Sequence, residues 1–160
     1  IRVLFDRMPR LVRDLAQKLG KKVELEVGGA DVELDRSIIE ALADPMTHML
    51  RNALDHGLED PQGRAVLGKP ETGRVWVNAY HECGRVVIEV RDDGPGIDPA
   101  ARPHLFEPFF SGREAGRGLG FGLPKAWRIV TLHGGRIEAA PAADRGAAFV
   151  IELPRSVDRR

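Results

Sequence analysis

This sequence predicts an α+β fold, a two-layer sandwich whose mixed, mostly antiparallel sheet is covered by helices on one face. Three observations carry that reading. Apolar residues recur at helical spacing in residues 2–19, 44–57 and 119–133, and alternate at period two in residues 22–27, 73–80, 85–91, 136–140 and 147–153. Four of those strands come as two pairs joined by short turn segments, the pattern of antiparallel hairpins. The order is helix, strands, helices, hairpin, helix, hairpin, so each apolar helix stripe finds a sheet face to cover.

Along the chain, residues 2–19 carry Val3, Leu4, Met8, Leu11, Val12, Leu15 and Leu19 at helical period, and Gly20 is a fitting stop. Val23, Leu25 and Val27 alternate with charged neighbours as a half-buried strand, and Gly28-Gly29 turns the chain toward a short second strand near residues 32–34. Ser37 and Glu40 have the spacing of a capping box, which opens a short helix. Asp44-Pro45 predicts a fresh helix start, with Asp44 as N-cap and Pro45 in the first turn, where a missing N–H is harmless; Gly57 ends it. Residues 58–72 read as a connection with one helical turn, long for a compact domain. Residues 73–80 and 85–91 form a hairpin around Glu82-Cys83-Gly84, residues 98–102 allow one helical turn, and residues 106–118 have no period. A helix over 119–133, closed by Gly134-Gly135, and a last hairpin with its turn at 141–146 complete the chain.

At 160 residues the chain predicts one domain, and its opening at Ile1 without a methionine suggests a domain of a longer protein. Acidic and basic residues balance at 24 each, so no net charge draws it to nucleic acid or an anionic membrane. No apolar run approaches the ~18 residues of a membrane span, and the opening residues do not read as a signal peptide. Cys83 is the single cysteine, which excludes an internal disulfide and is consistent with a reducing compartment.

Three stretches carry chemistry. On the helix at 44–57, Met46, Met49, Leu50, Ala53 and Leu54 make one face, and His48, Arg51, Asn52, Asp55 and His56 the other. A solvated face would account for this, yet Asn, Asp and two His are mediocre helix formers. An amide oxygen between imidazoles and a carboxylate suits a hard cation with phosphate attached. Arg91-Asp92-Asp93-Gly94-Pro95-Gly96-Ile97 follows a strand. It is either a plain turn or a place where backbone approaches a flat ligand and Asp92 accepts a hydrogen bond from an exocyclic amine. Gly116-Arg117-Gly118-Leu119-Gly120-Phe121-Gly122 leads into a helix, as a phosphate site of free N–H groups or as a flexible loop. It lacks the preceding parallel strand of a dinucleotide fingerprint, and the Walker phosphate-loop pattern is absent. Phe106, Phe109 and Phe110 are half of the six Phe, an anchor in the core or a hinge for a closing lid.

Taken together and in order, these segments resemble the ATP-binding domain of histidine kinases, in the superfamily that includes type II topoisomerases and MutL ATPases. Residues 48–52, 92–96, 105–110 and 116–123 correspond to the N, first glycine, F and second glycine boxes, and 144–149 to the weaker third glycine segment. Residues 5–19, 34–36, 44–60 and 68–73 look like chemotaxis-type (CheA-like) kinases. Leu105 onward, with a short lid and Arg128-Ile129-Val130 before His133-Gly134-Gly135, looks like ordinary sensor kinases.

The resemblance implies a Bergerat-type ATP-binding fold with ATP and Mg2+ as cofactors. It implies that Asn52 coordinates Mg2+ bridging the phosphates and that His48 polarises the attacking group, these two being catalytic. Arg51 and His56 would reach phosphate, Asp92 would bind the adenine amine, and Gly94 and Gly96 would let the base pack against backbone. Arg113 and Arg117 would be lid contacts to phosphate. Asp55, Ile97, Phe110, Gly116, Gly118, Leu119, Gly120 and Phe121 complete the implied ATP-binding set. No histidine of this chain sits on a long exposed dimeric helix. The phosphoacceptor is therefore expected on a separate histidine-bearing dimerisation domain, feeding a downstream response regulator, in a bacterial cytoplasm. This domain alone is expected to be a monomer that contacts neither nucleic acid nor membrane. A serine kinase of the same superfamily and a nucleotide-gated interaction module are the alternatives.

Overall fold

The computed structural model describes residues 1–107, 122–141 and 146–155, without the side chains of residues 56, 122 and 141. Among them, β1 (Val23–Gly28), β2 (Gly73–Glu82), β3 (Arg85–Asp92), β4 (Arg136–Pro141) and β5 (Ala147–Pro154) make one sheet in the order β1-β2-β3-β5-β4. β1 is parallel to β2 and every other pair is antiparallel, the mixed sheet predicted from sequence. The parallel pair requires a long crossover, and the chain between β1 and β2 supplies it as helix. Period two sorts the residues: Val75, Val77, Ala79, Val86, Ile88, Val90, Ile151 and Leu153 are buried, while Trp76, Asn78 and Glu89 face away. The buried row shares one core with helix residues Met8, Val12, Ile38, Met46, Met49, Ala126 and Val130, so the helices lie on one sheet face.

Several boundaries differ from the sequence expectation, each for a local reason. Residues 2–19 form two helices, α1 (Arg2–Asp6) and α2 (Met8–Leu19), separated at Arg7. Pro9 has no N–H to donate back and its ring crowds the carbonyl four residues earlier, so the first helix ends there. No strand forms near residues 32–34; the Val32 carbonyl is taken by the Ile1 ammonium at 3.1 Å. The expected pair of helices at 37–57 is one helix, α3 (Arg36–Asn52), running through Pro45. An interior proline costs about 3 kcal/mol. The apolar face of α3 buries Ile38, Leu42, Met46, Met49 and Leu50, each contributing about 1.5–3 kcal/mol, so packing wins.

The connection to β2 holds a true helix, α4 (Pro61–Val66), capped by Asp60, whose carboxylate accepts from the Gly63 N–H at 2.6 Å. The hairpin turn is the two residues Cys83 and Gly84, with φ of 49° and 73°. The helical turn expected at 98–102 sits later, as a 3-10 turn over Arg102–His104. The last helix, α5 (Gly122–Leu132), packs along α3, and its Trp127 is half-exposed.

Candidate active site

The site begins with strand phase. Val86, Ile88 and Val90 of β3 point into the core, and the next inward position is Asp92, only 4% exposed. Period two therefore drives a carboxylate into the layer between sheet and helices, at the strand's end. Its Oδ1 accepts the Gly94 N–H at 2.9 Å. Among the described residues it forms no ion pair with Lys or Arg. Burial raises its pKa to about 6, with Asp93 and Glu59 adding repulsion, while hydrogen bonds from the Gly94 and Ala147 N–H groups act the other way.

The backbone around this carboxylate is close-packed. A Cβ on Gly94 would overlap the Gly57 carbonyl, and one on Gly146 would overlap the Asp92 carbonyl. Only glycine fits at either place, so two chain segments meet directly beside Asp92. Gly96, with φ of 90°, lies against the Gly146 carbonyl, and Ile97 packs half-buried on the core.

The other wall is the end of the long helix. Met46, Met49, Leu50, Ala53 and Leu54 are all buried, whereas His48, Asn52 and Asp55 are half-buried and Arg51 is exposed, the division expected from sequence. After Asn52 the helix widens into a π turn, Ala53–Gly57, closed by Leu58 N–H donating to the Ala53 carbonyl at 2.9 Å. Such turns cluster at functional sites because the extra residue re-aims the side chains that follow. Gly57 then touches Asp92: a Cβ there would stand 2.7 Å from Oδ2. The end of the polar helix face and the strand-end carboxylate, far apart in sequence, are thus neighbours.

Asp92, Gly94 and Gly96 are brought to the end of the helix that carries His48, Asn52 and Asp55. The His56 side chain, Phe110, Arg113, Gly116, Arg117, Gly118, Leu119, Gly120 and Phe121 lie outside the described residues. Sequence reasoning missed the groups that hold the two walls. Lys21 donates to the carbonyls of Leu54, Asp55 and Leu58 at 2.6, 3.1 and 2.6 Å, tying the π turn to the end of α2. Arg64, almost wholly buried, pairs with Glu59 and Asp93, and Lys69 pairs with Glu59. The available signal was Asp60-Pro61, a helix start that orders this connection.

Residues 41–157 match the family model described as histidine kinase-, DNA gyrase B-, and HSP90-like ATPase. The chain belongs to that family, as a histidine-kinase-type ATP-binding domain. Within it, the chain is similar to the chemotaxis protein CheA of Klebsiella aerogenes, 41% identical over 177 residues that take in 94% of this chain and 27% of that protein. It is also 49% identical over 96 residues to the sensor histidine kinase CheAY of Helicobacter pylori, covering 60% of this chain and 12% of that protein. Full-length ShkA, solved in complex with AMPPNP, matches with a TM-score of 0.70 at 25% identity, over 96% of this chain and 30% of that one. The mycobacterial sensor histidine kinase MprB matches with a TM-score of 0.63 at 26% identity, over 94% of each chain. The chain thus spans about a quarter of the length of the CheA proteins it matches. Among the described residues no helix is long and apolar enough to cross a membrane.

Proposed function

We propose that this chain is the catalytic domain of a histidine protein kinase, which passes the γ-phosphoryl group of Mg-ATP to a histidine on another domain or protein. The single observation that carries the site is the buried Asp92 carboxylate, set at a glycine-only contact beside the end of the Asn52 helix. A carboxylate so desolvated and so free of cations among the described residues is an acceptor in search of a donor. The exocyclic amine of adenine supplies one, and the glycine backbone lets a planar base come close.

The residues present also fit magnesium. Among the described residues no cluster of three or more His, Cys, Asp or Glu could cage a metal. Mg2+ favours one or two protein oxygens, several waters and substrate phosphates, which is what the half-buried Asn52 amide offers. When bound, the ion neutralises charge on the phosphate oxygens. Asn52 would fix its position from the helix. His48, one turn earlier on the same face, would polarise the attacking imidazole, and exposed Arg51 would contact phosphate. The P–O bond to the β-phosphate breaks, a P–N bond to the acceptor imidazole forms, and ADP leaves. Such transfer asks mainly for positioning and charge stabilisation. The phosphohistidine would then supply a response regulator, and this domain alone would be a monomer.

The test is transfer of labelled γ-phosphate from Mg-ATP to a separately supplied acceptor domain of the parent protein. We expect acid-labile label on the acceptor histidine, reduced on the order of 100-fold or more in Asn52→Ala. No transfer to any histidine by a protein that binds Mg-ATP would contradict the kinase reading.

A further inference from the structure

The two walls beside Asp92 are held by a cluster of four charges that the chemistry above does not use. Glu59 lies two residues beyond Gly57 on one wall, and Asp93 directly precedes Gly94 on the other. Arg64 reaches both: one guanidinium nitrogen is 3.3 Å from Glu59 Oε1, the other 3.0 Å from Asp93 Oδ2. Its Nε donates to the Pro70 carbonyl at 2.6 Å, which fixes the plane of the fork. Lys69 spans the same gap, 2.7 Å from Glu59 Oε2 and 3.2 Å from the Asp93 carbonyl. Asp93 is held from a further side by the Arg74 N–H, which donates to Oδ1 at 2.9 Å.

We infer that Arg64 and Lys69 are positioning residues that set the spacing between the Gly57 and Gly94 walls, and so tune discrimination for a purine bearing an exocyclic amine. The inference rests on the adenine reading of Asp92 given above. Two arguments support it. The cluster holds two cations and two anions and so carries no net charge, and what the Arg64 fork adds beyond the repulsion of Glu59 and Asp93 at Asp92 is place. Ion pairs built around a buried cation such as Arg64, with Glu59, Lys69 and Asp93 only partly buried, are also a poor way to gain stability, because desolvation offsets most of the attraction and apolar side chains would hold a loop as well. What a fixed fork gives that apolar packing does not is a defined distance between the two carboxylates it joins. Here those carboxylates lie within two residues of the two walls. A hydrogen bond to Asp92 is sensitive to wall displacements of a few tenths of an ångström.

The experiment compares binding of ATP with that of purine riboside triphosphate, which lacks the amine, by titration calorimetry in the presence of Mg2+. Wild type should favour ATP by about tenfold, the worth of one charge-assisted hydrogen bond, and Asp92→Asn should erase most of that ratio. Arg64→Lys, which keeps the charge but cannot bridge both walls, and Lys69→Met, at the less buried cation, should each bring the ratio to within about threefold of unity. Both should keep a cooperative melt and Mg2+-dependent binding. If the variants weaken the two nucleotides equally and leave the ratio intact, their role is structural only and the inference falls while the adenine reading stands. A wild type without preference, or an Asp92→Asn that keeps it, overturns both.

Discussion

Asp92 and Asp93 are consecutive carboxylates on one strand end, and their surroundings could hardly differ more. Asp92 points into the core, accepts backbone N–H groups, and is pushed up to about 6 by burial. Asp93 points the other way, meets the Arg64 guanidinium at 3.0 Å and the Arg74 N–H at 2.9 Å, and serves the fold. The pair shows how one residue type divides its labour. Where opposite charge is supplied internally, the carboxylate is a structural strut; where it is withheld, the desolvated acceptor is left for a ligand.

The contrast can be broken from either side. The largest effect should come from the backbone contact shared by the two walls. Gly94→Ala would drive a Cβ into the Gly57 carbonyl and is expected to cost about 3–4 kcal/mol, read by denaturant unfolding. On the Asp93 side, Arg64→Met leaves Glu59 with Lys69 and the Asp93 carboxylate with the Arg74 N–H but no paired cation, and stability should fall by about 3 kcal/mol.

On the Asp92 side the sign reverses. Burial pushes the folded carboxyl up to about 6 against 3.8 for the unstructured group, so the folded state holds this proton more tightly. Its contribution to stability is fullest below the unfolded value, declines as pH rises through the folded one, and is flat above. Asp92→Asn removes that decline while keeping an acceptor for the Gly94 N–H. Above pH ~7 the variant should be more stable than wild type by about 2–3 kcal/mol, with the gap closing toward pH ~4, in paired thermal melts. A gap that is constant with pH would mean that Asp92 is not desolvated as described. ATP affinity should move oppositely, weakening several-fold as the carboxylate is protonated between pH ~7.5 and ~5. The smallest effect is at the start of the α4 connection, where Asp60→Ala removes the N-cap acceptor and should cost about 1 kcal/mol without altering nucleotide discrimination.

The same separation of local signal from tertiary context decides how much was legible in the sequence. Strand phase was, because one buried face fixes it: the alternation through Val86, Ile88 and Val90 leads directly to Asp92. The polar face of the long helix was legible for the same reason at period 3.6. The two Asp-Pro dipeptides show the limit. Asp44-Pro45 has the local chemistry of a helix start yet lies inside α3, where Pro45 is buried, while Asp60-Pro61 does start a helix. Burial of α3 against the sheet overrides the proline, and no local window contains that information. The clamp was illegible for a related reason, since Arg64 and Asp93 are brought together only by the fold. The π turn left no period to read, and its carbonyls find Lys21 through contacts more than thirty residues apart.

We propose that the helix end at Asn52 and the strand end at Asp92 form one Mg-ATP site. Its most direct test is calorimetric titration of ATP into this chain with and without Mg2+, beside Asn52→Ala. We predict binding that is strengthened by Mg2+ in wild type and loses that metal dependence in the variant. Absence of binding by wild type at millimolar ATP, or equal metal dependence in both proteins, would contradict it.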